Sequence, residues 1–356
     1  MTTSSGRRIG SATVLRCALS LVALASCASA AAAQHAPLTR IAFASCANQT
    51  KPQPIWEAVL DYRPELLIFA GDNVYGDVGS GAMTELEAAY AKALTIEGYR
   101  RARQAAPVLA TWDDHDFGKN DGGADFPHKR AAKRLFLEFW QVPEDDPRRT
   151  RAGIHHARTF GPEGMRVQVV LLDTRTFRSP LEVADPPGAP GQGPYAPDPD
   201  PTKTMLGAAQ WAWLRAQLMQ PAEVRLIVSS VQVLAEGHGY ERWGNLPTER
   251  ARLLELIRET GATGVVFLSG DRHVGALYRR AGPSYDLYEI TSSGINMTYA
   301  WNRDAGPHRL GAVYGAENFG TIDLDWWAGE VRLAIRAMNG EAVRQLTIPL
   351  AALHPR

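Results

Sequence analysis

Leu66 to Gly76, LLIFAGDNVYG, is a short apolar run ending in Gly-Asp, with Tyr75 just beyond. Continuous hydrophobics mark a strand buried on both faces, so Leu66 to Ala70 is expected to form a central parallel strand whose carboxyl end delivers Asp72. In open α/β sheets, chemistry sits at that end. Gly71 lets the backbone turn sharply without a side chain in the way, leaving Asp72 and Tyr75 to face one crevice. A carboxylate can bridge two metal ions, and a phenolate binds a hard, highly charged one. A Gly-Asp pair alone is more often a turn whose aspartate caps the next helix. What changes the balance is the rest of the chain.

Upstream, Arg40 to Ser45 reads as a strand with Cys46 at its carboxyl end, followed by a helix from Pro54 to Tyr62. Downstream, Met83 to Gln104 has apolar residues at helical spacing and is expected as one or two surface helices. Pro107 to Thr111 is a third strand, and it runs into Trp112-Asp113-Asp114-His115-Asp116. A Gly-rich turn, Gly118 to Phe126, leads to a helix at Lys129 to Trp140. Ile154 to Phe160 and Arg166 to Leu172 read as a hairpin. Ser179 to Lys203, rich in Pro and Gly, is expected as a lid or substrate-wall loop.

The second half repeats the alternation: helix Leu206 to Met219, strand Val224 to Val231, and helix Pro247 to Thr260 with proline at its start. Strand Gly264 to Ser269 then ends in Gly270-Asp271-Arg272-His273. Antiparallel strands are expected at Ala276 to Arg280, Tyr285 to Thr291, Gly320 to Trp326 and Val331 to Met338. Strand-helix alternation followed by a return of strands predicts two mixed sheets flanked by helices, a four-layer α/β/β/α sandwich of the α/β class.

Four of these strands end in potential metal ligands: Cys46; Asp72 and Tyr75; Asp114 and His115; Asp271 and His273. Each group alone has a plain explanation. A strand-end cysteine is usually a small buried hydrophobe, and an Asp near a His is usually a hydrogen-bonded pair. Four such groups on four strand ends facing one rim are hard to obtain by chance, and together they point to a metal site.

The first 33 residues carry Arg7, Arg8 and Arg16 and no acid, followed by an apolar segment too short to span a bilayer. This reads as an export signal. Leu24-Ala25-Ser26-Cys27 resembles a bacterial lipobox, which would leave Cys27 lipidated; cleavage at Ala28-Ser29-Ala30 or Ala31-Ala32-Ala33 is the other route, and the Arg7-Arg8 pair permits twin-arginine export. The expected location is periplasmic or secreted, with the membrane touched only through Cys27. The full chain has 38 basic and 38 acidic residues, so losing three arginines leaves the mature chain slightly acidic. That balance makes no case for nucleic acid or anionic lipid as a partner. Residues 34–356 are enough for one large core and contain no obvious linker. Only Cys46 and a lipidated Cys27 would remain as cysteines, so the thiol has a purpose other than pairing.

The set SCAN at 45 to 48, GDNVYG at 71 to 76, WDDHDFGKNDGG at 112 to 123, LLDTRTFRSP at 171 to 180, TMLGAAQWAWL at 204 to 214 and SGDRHVGALY at 269 to 278 resembles the PhoD-like alkaline phosphatase/phosphodiesterase family. These are calcineurin-like metallophosphoesterases, close in active-site plan to purple acid phosphatases. The similarity runs from about residue 39 to about 340. The extra amino-terminal β domain of many members is expected to be missing, because the first catalytic strand follows the leader closely. The resemblance implies a di- or trinuclear site bridged by Asp72. Cys46, Tyr75 and His273 would complete a Fe3+ site, since thiolate, phenolate and imidazole suit iron. Asp114 and Asp271 would face a second position, typically Ca2+, which takes oxygen ligands. Where calcineurin-type enzymes have GNH and GHxH, this chain has DDH and GDxH, which favours a harder ion.

The activity so implied is hydrolysis of a small phosphate ester, diester or monoester, by a metal-bound hydroxide attacking phosphorus in line. His115 is expected either to protonate the leaving oxygen or to hold Asp114. Asn73, Asn120 and Arg272 are expected to contact phosphate oxygens, and Arg175 to pair with Asp173. His155 and His156, adjacent on a strand, point to opposite faces and cannot share an ion. His238 with Tyr240 and Trp243 reads as a packed loop, and Trp211, Trp213, Trp326 and Trp327 as helix-sheet packing. Two other readings stand beside this one. A lactamase-type dinuclear enzyme would need an HxHxDH run that the chain lacks. A non-catalytic surface lipoprotein stabilised by metals would have no reason for a full ligand set.

Overall fold

Successive residues of a strand point to opposite faces, so a strand that is apolar throughout must have a core on each side. The computed structural model describes residues 1–2, 36–186 and 193–355. In chain order its strands are β1 (Arg40–Ala44), β2 (Leu66–Ala70), β3 (Val108–Thr111), β4 (His156–Phe160), β5 (Val167–Leu171), β6 (Glu182–Val183), β7 (Tyr195–Ala196) and β8 (Val224–Val228). There follow β9 (Val265–Ser269), β10 (Gly275–Arg280), β11 (Leu287–Ser292), β12 (Arg309–Tyr314), β13 (Asn318–Asp325), β14 (Glu330–Ala337) and β15 (Ala342–Pro349). The helices are α1 (Trp56–Asp61), α2 (Thr84–Ala93), α3 (Glu97–Ala105), α4 (Asp114–Phe117), α5 (Lys129–Phe139), α6 (Gly207–Leu218) and α7 (Pro247–Glu259).

One sheet has the order β15-β14-β13-β1-β2-β3, the other β12-β10-β11-β9-β8-β5-β4. Strands β1, β2 and β3 are mutually parallel, as are β5, β8, β9 and β11. In β2, Leu66, Ile68 and Ala70 enter the core between the sheets with Phe43, Val169, Leu226 and Leu268. Leu67 and Phe69 face outward onto Trp56, Leu86 and Phe136 of the first helical layer. In β9, Val266 and Leu268 face inward, while Val265 and Phe267 meet Leu214, Leu253 and Leu256 of the second helical layer. The order of layers is therefore helix, sheet, sheet, helix, as the alternation predicts.

The differences lie at edges and turns. Met83 to Gln104 forms two helices, α2 and α3, one of the two arrangements expected. Edge strands β12 and β15 were not expected; β12 is mostly exposed or half-buried and interrupted by Gly311, so it lacks the apolar run that marks an inner strand. Strand β11 pairs antiparallel with β10 but parallel with β9. His155 precedes β4, so it does not share a strand with His156. Trp327 is a correction: it is 100% exposed in the β13–β14 turn, whereas Trp326 packs against the inter-sheet core. No helix among the described residues is long and apolar enough to cross a membrane. The expected export segment and the lipobox-like stretch at 24–27 lie outside the described residues, apart from Met1 and Thr2.

Candidate metal centre

The carboxyl ends of β1, β2 and β3 in one sheet and of β9 in the other open on the same rim, and each ends in a tight turn. Cys46, Asp72, Asp271 and His273 all adopt left-handed backbone, with φ of 60°, 50°, 66° and 56°. That conformation costs an L residue energy, and although Arg63, Met83 and Gln141 also adopt it elsewhere, four such residues gather at this rim. Gly71 has φ 107°, and a Cβ there would lie 2.6 Å from Cβ of Asp113, so only glycine lets the β2 and β3 turns approach. The Asp116 carboxylate locks them together, accepting from the backbone N–H of Asp72 at 3.2 Å, Asn73 at 3.2 Å and Asp113 at 2.6 Å.

The turns bring Cys46 Sγ, an Asp72 carboxylate oxygen and a His273 ring nitrogen within 4.8 Å of one another. Tyr75 Oη lies 3.0 Å from His273 Nε2. Asp72, Asp114 and His115 form a second such group, Asp113, Asp114 and Asp271 a third, and Asp114, Asp121 and Glu241 a fourth. Asp72 and Asp114 belong to more than one group, so the donors form a continuous strip. Asp113, Asp121 and Glu241 escaped the sequence reading. Asp113 carried a signal in the Asp113-Asp114 pair, but Glu241 lies in a loop with no local pattern.

Arg175 is the fully buried counter-charge. Its guanidinium donates to Asp113 Oδ1 at 2.7 Å and to Glu241 Oε1 at 2.9 Å, and lies 4.0 Å from Asp114. The expected pairing with Asp173 is thus corrected. Asp173 accepts only the Arg175 backbone N–H, at 3.0 Å, because its oxygens also hold Trp112, Ile154 and Thr176. Arg178, also buried, lies 3.0 Å from Glu241, and Arg272 is taken up by Asp304, so the guanidiniums do not balance Asp72, Asp113, Asp114, Asp271 and Glu241 together. Burial and the neighbouring Asp114 push the Asp72 carboxyl well up, and burial and Asp113 do the same to Asp271. Burial and Asp72 raise the Cys46 thiol, and burial and Cys46 raise the Tyr75 phenol. Burial would also raise Asp114, but Arg175 and His115 outweigh it and hold Asp114 down to about 2. His273 is lowered to about 4 by burial and by Arg272.

These are donors that a cation would deprotonate and draw in. Asp113 Oδ2, Asn73 Oδ1 and His273 Nδ1 are buried without hydrogen-bond partners, as free ligand atoms would be. The donor set therefore fits bound cations: sulfur, phenol and imidazole at one end of the strip, oxygen at the other.

A cavity of about 210 Å³ opens over the strip, lined by His115, Asn120, Tyr195, Tyr240, Arg272 and Tyr299 among others. His115 Nδ1 lies 2.8 Å from Asp77 Oδ2, and its ring packs on Tyr75 at 4.3 Å. Burial alone would lower this imidazole, but Asp72, Asp77 and Asp114 together raise it to about 11. Only its backbone N–H, not its ring, bonds to Asp114, at 3.0 Å. Arg272 is bonded to Asp304 at 2.7 Å and stacks on Tyr240. Asn120 is exposed at the cavity mouth. Asn73 is a correction: its amide donates to the Thr111 carbonyl and to Asp116 at 2.8 and 2.5 Å. It has no donor left for a phosphate and is buried, not among the residues that line the cavity. The Pro- and Gly-rich segment does wall the site, since Tyr195 Oη donates to Asp121 Oδ2 at 2.7 Å. Gln232 is bonded to Tyr278, Thr291 and His238 and belongs to none of the donor groups.

A family model described as PhoD-like phosphatase matches residues 41–306. No curated protein matches the sequence significantly. Among solved structures, one of PhoD superposes with a TM-score of 0.69 at 16% identity, covering 88% of this chain and 69% of that one. A purple acid phosphatase from yellow lupin (Lupinus luteus) seeds gives 0.60 at 8% identity, covering 89% and 54%. GAP50, described as the anchor in the inner membrane complex of Plasmodium, gives 0.57 at 13% identity, covering 90% of both chains. At these identities the structural matches establish the fold.

Proposed function

Because the chain belongs to the PhoD-like phosphatase family, we propose that this metal-dependent phosphoric ester hydrolase holds Fe3+ through Cys46, Asp72, Tyr75 and His273 and Ca2+ through Asp114 and Asp271. When bound, such cations supply Lewis acidity and a nucleophile by acidifying water near neutral pH. Asp72 belongs to both the thiol-imidazole group and the group with Asp114, so it fixes their spacing. His115 has its Nδ1 side held by Asp77, which orients the ring so that Nε2 delivers a proton to the leaving oxygen. Arg272 and Asn120, both lining the cavity, contact the phosphoryl oxygens. The ester group then projects past Tyr195, Tyr240 and Tyr299. The substrate is a small phosphate diester or monoester, met after export to the periplasm or beyond, by a protein either freely secreted or attached to the membrane through a lipidated Cys27 alone.

The observation that carries this reading is the convergence of thiol, phenol, imidazole and carboxylates on left-handed turns at one rim. A fold shared with a protein described as an anchor does not by itself impose catalysis, so the test is turnover. The purified chain is expected to hydrolyse a chromogenic phosphodiester or its monoester at mildly alkaline pH. Asp72→Asn should lower the rate at least about a thousandfold with an unchanged circular dichroism spectrum. Metal-loaded protein that turns over neither ester would favour a non-catalytic, metal-stabilised surface protein.

A further inference from the structure

Away from the rim, α5 and the loop after it build a cleft of the opposite charge. A cavity of about 610 Å³ is lined by Lys129, Arg130, Lys133, Arg134, Arg149 and Arg151, and by no carboxylate. Helix α5 supplies four of these because its inner face is taken by Ala132, Leu135, Phe136 and Leu137, leaving two Lys-Arg pairs one turn apart. Like charges at that spacing repel. Arg149 and Arg151 face them from the following loop. An adjoining cavity of about 710 Å³ shares Arg151 and adds three more arginines against a single carboxylate, Asp146, which Arg148 already engages at 2.7 Å.

The nearby acids do not neutralise this cleft. Glu144 pairs with Arg149 at 3.3 Å but is 91% exposed, and Glu138 lies 3.8 Å from Arg134 with both side chains in solvent. Such pairs contribute little. Burial first and then Arg151 lower the Lys133 ammonium, and burial and then Arg148 lower the Arg151 guanidinium, with Asp173 offsetting both only in part. Arg151 Nε is buried without a partner. All this occurs in a chain whose formal charge is zero, and neither cavity shares a residue with the one over the metal strip.

We propose that this cleft is a second binding site, for a compact polyanion carrying several phosphate charges, of the class of pyrophosphate and longer condensed or organic polyphosphates. Guanidinium forks match phosphate oxygens in pairs, and six cations exceed what one phosphate neutralises. The concave shape fits a compact anion better than a flat lipid surface. The cleft lies apart from the reacting groups, so occupancy does not require the ester site.

Fluorescence anisotropy of pyrenetetrasulfonate, a tetra-anion that the enzyme has no bond to hydrolyse, tests this on the metal-loaded full chain. The probe should bind, be displaced by pyrophosphate, and weaken at least about tenfold in Arg130→Glu/Arg134→Glu. Both residues are exposed, so the variant should fold and keep its basal ester hydrolysis. Arg130→Lys/Arg134→Lys should retain most of the binding. Equal binding in wild type and the charge-reversed variant would overturn the proposal, as would displacement by orthophosphate only at concentrations that inhibit hydrolysis, which would locate the probe at the metal site. Binding to phosphatidylglycerol vesicles that depends on Arg130 and Arg134, without displacement of the probe by pyrophosphate, would overturn it in favour of a membrane surface.

Discussion

Arg175 decides whether the carboxylates around it can stay buried. It is fully enclosed and touches both Asp113, beside the ligand strip, and Glu241, from a loop 66 residues further on. Removing it strips buried Asp113 of its cation, whereas Glu241 keeps Arg178 at 3.0 Å, and breaking a buried pair typically costs about 3–5 kcal/mol. Arg175→Met is therefore expected to lose about that much in urea denaturation. Arg175→Lys should recover only part of it, because one ammonium cannot span both carboxylates as the planar fork does. Full stability in the lysine variant would mean that charge alone, and not bidentate geometry, holds Asp113 and Glu241. At this scale Asp72, Cys46 and Asp271 were legible because each follows an apolar run directly. Glu241 and Asp77 were not, because each matters only through a residue remote in the chain.

At the scale of elements, the parallel strands place the ligands and the segments between them set the surroundings. The loop leading into β4 holds His155 in a pocket formed by Trp213, with ring centroids 4.6 Å apart, and Phe177. Burial, and then the cationic Arg151, lower its imidazole to about 4, against about 6.5 in an unfolded chain. Between those values the unfolded state binds the extra proton. The stability this neutral histidine supplies is therefore complete above pH 6.5 and falls away as the pH drops toward 4. In urea titrations the advantage of wild type over His155→Gln should narrow by about 3 kcal/mol from pH 7 to pH 4. A gap that stays constant would mean that the ring is protonated, or solvated, in the folded protein. The hairpin of β4 and β5 was legible from sequence, whereas the environment of His155 required the approach of α6, which brings Trp213.

For the whole molecule, bound cations would act as part of the fold. The strip gathers carboxylates whose protonation burial favours, so at neutral or alkaline pH the metal-free protein either takes up protons or carries unbalanced charge. A ligand that binds only the folded state stabilises it by mass action. Chelation is expected to lower the melting temperature by about 5–10 °C and to abolish ester hydrolysis. Iron with calcium should restore both, and magnesium alone should restore neither. A melting temperature unaffected by chelation would indicate that protonation, not metal, relieves the site.

The sequence by itself determined the four-layer order and the rim. Runs such as Leu66 to Ala70 and Val265 to Leu268 are apolar at every position, which requires a core on both faces, and the Gly-Asp that closes each strand fixes a turn that delivers a ligand. Both signals are local, carried by residues within a few positions of one another. Tertiary structure alone decided that Glu241 meets Arg175, that Asp77 orients His115, that the Asn73 amide is spent on Thr111 and Asp116, and that α5 and Arg151 share a cationic cleft. Those contacts join segments whose separation in the chain says nothing about their distance in space. They exist because the sheet order brings non-consecutive strands side by side, and with them the turns that each strand carries.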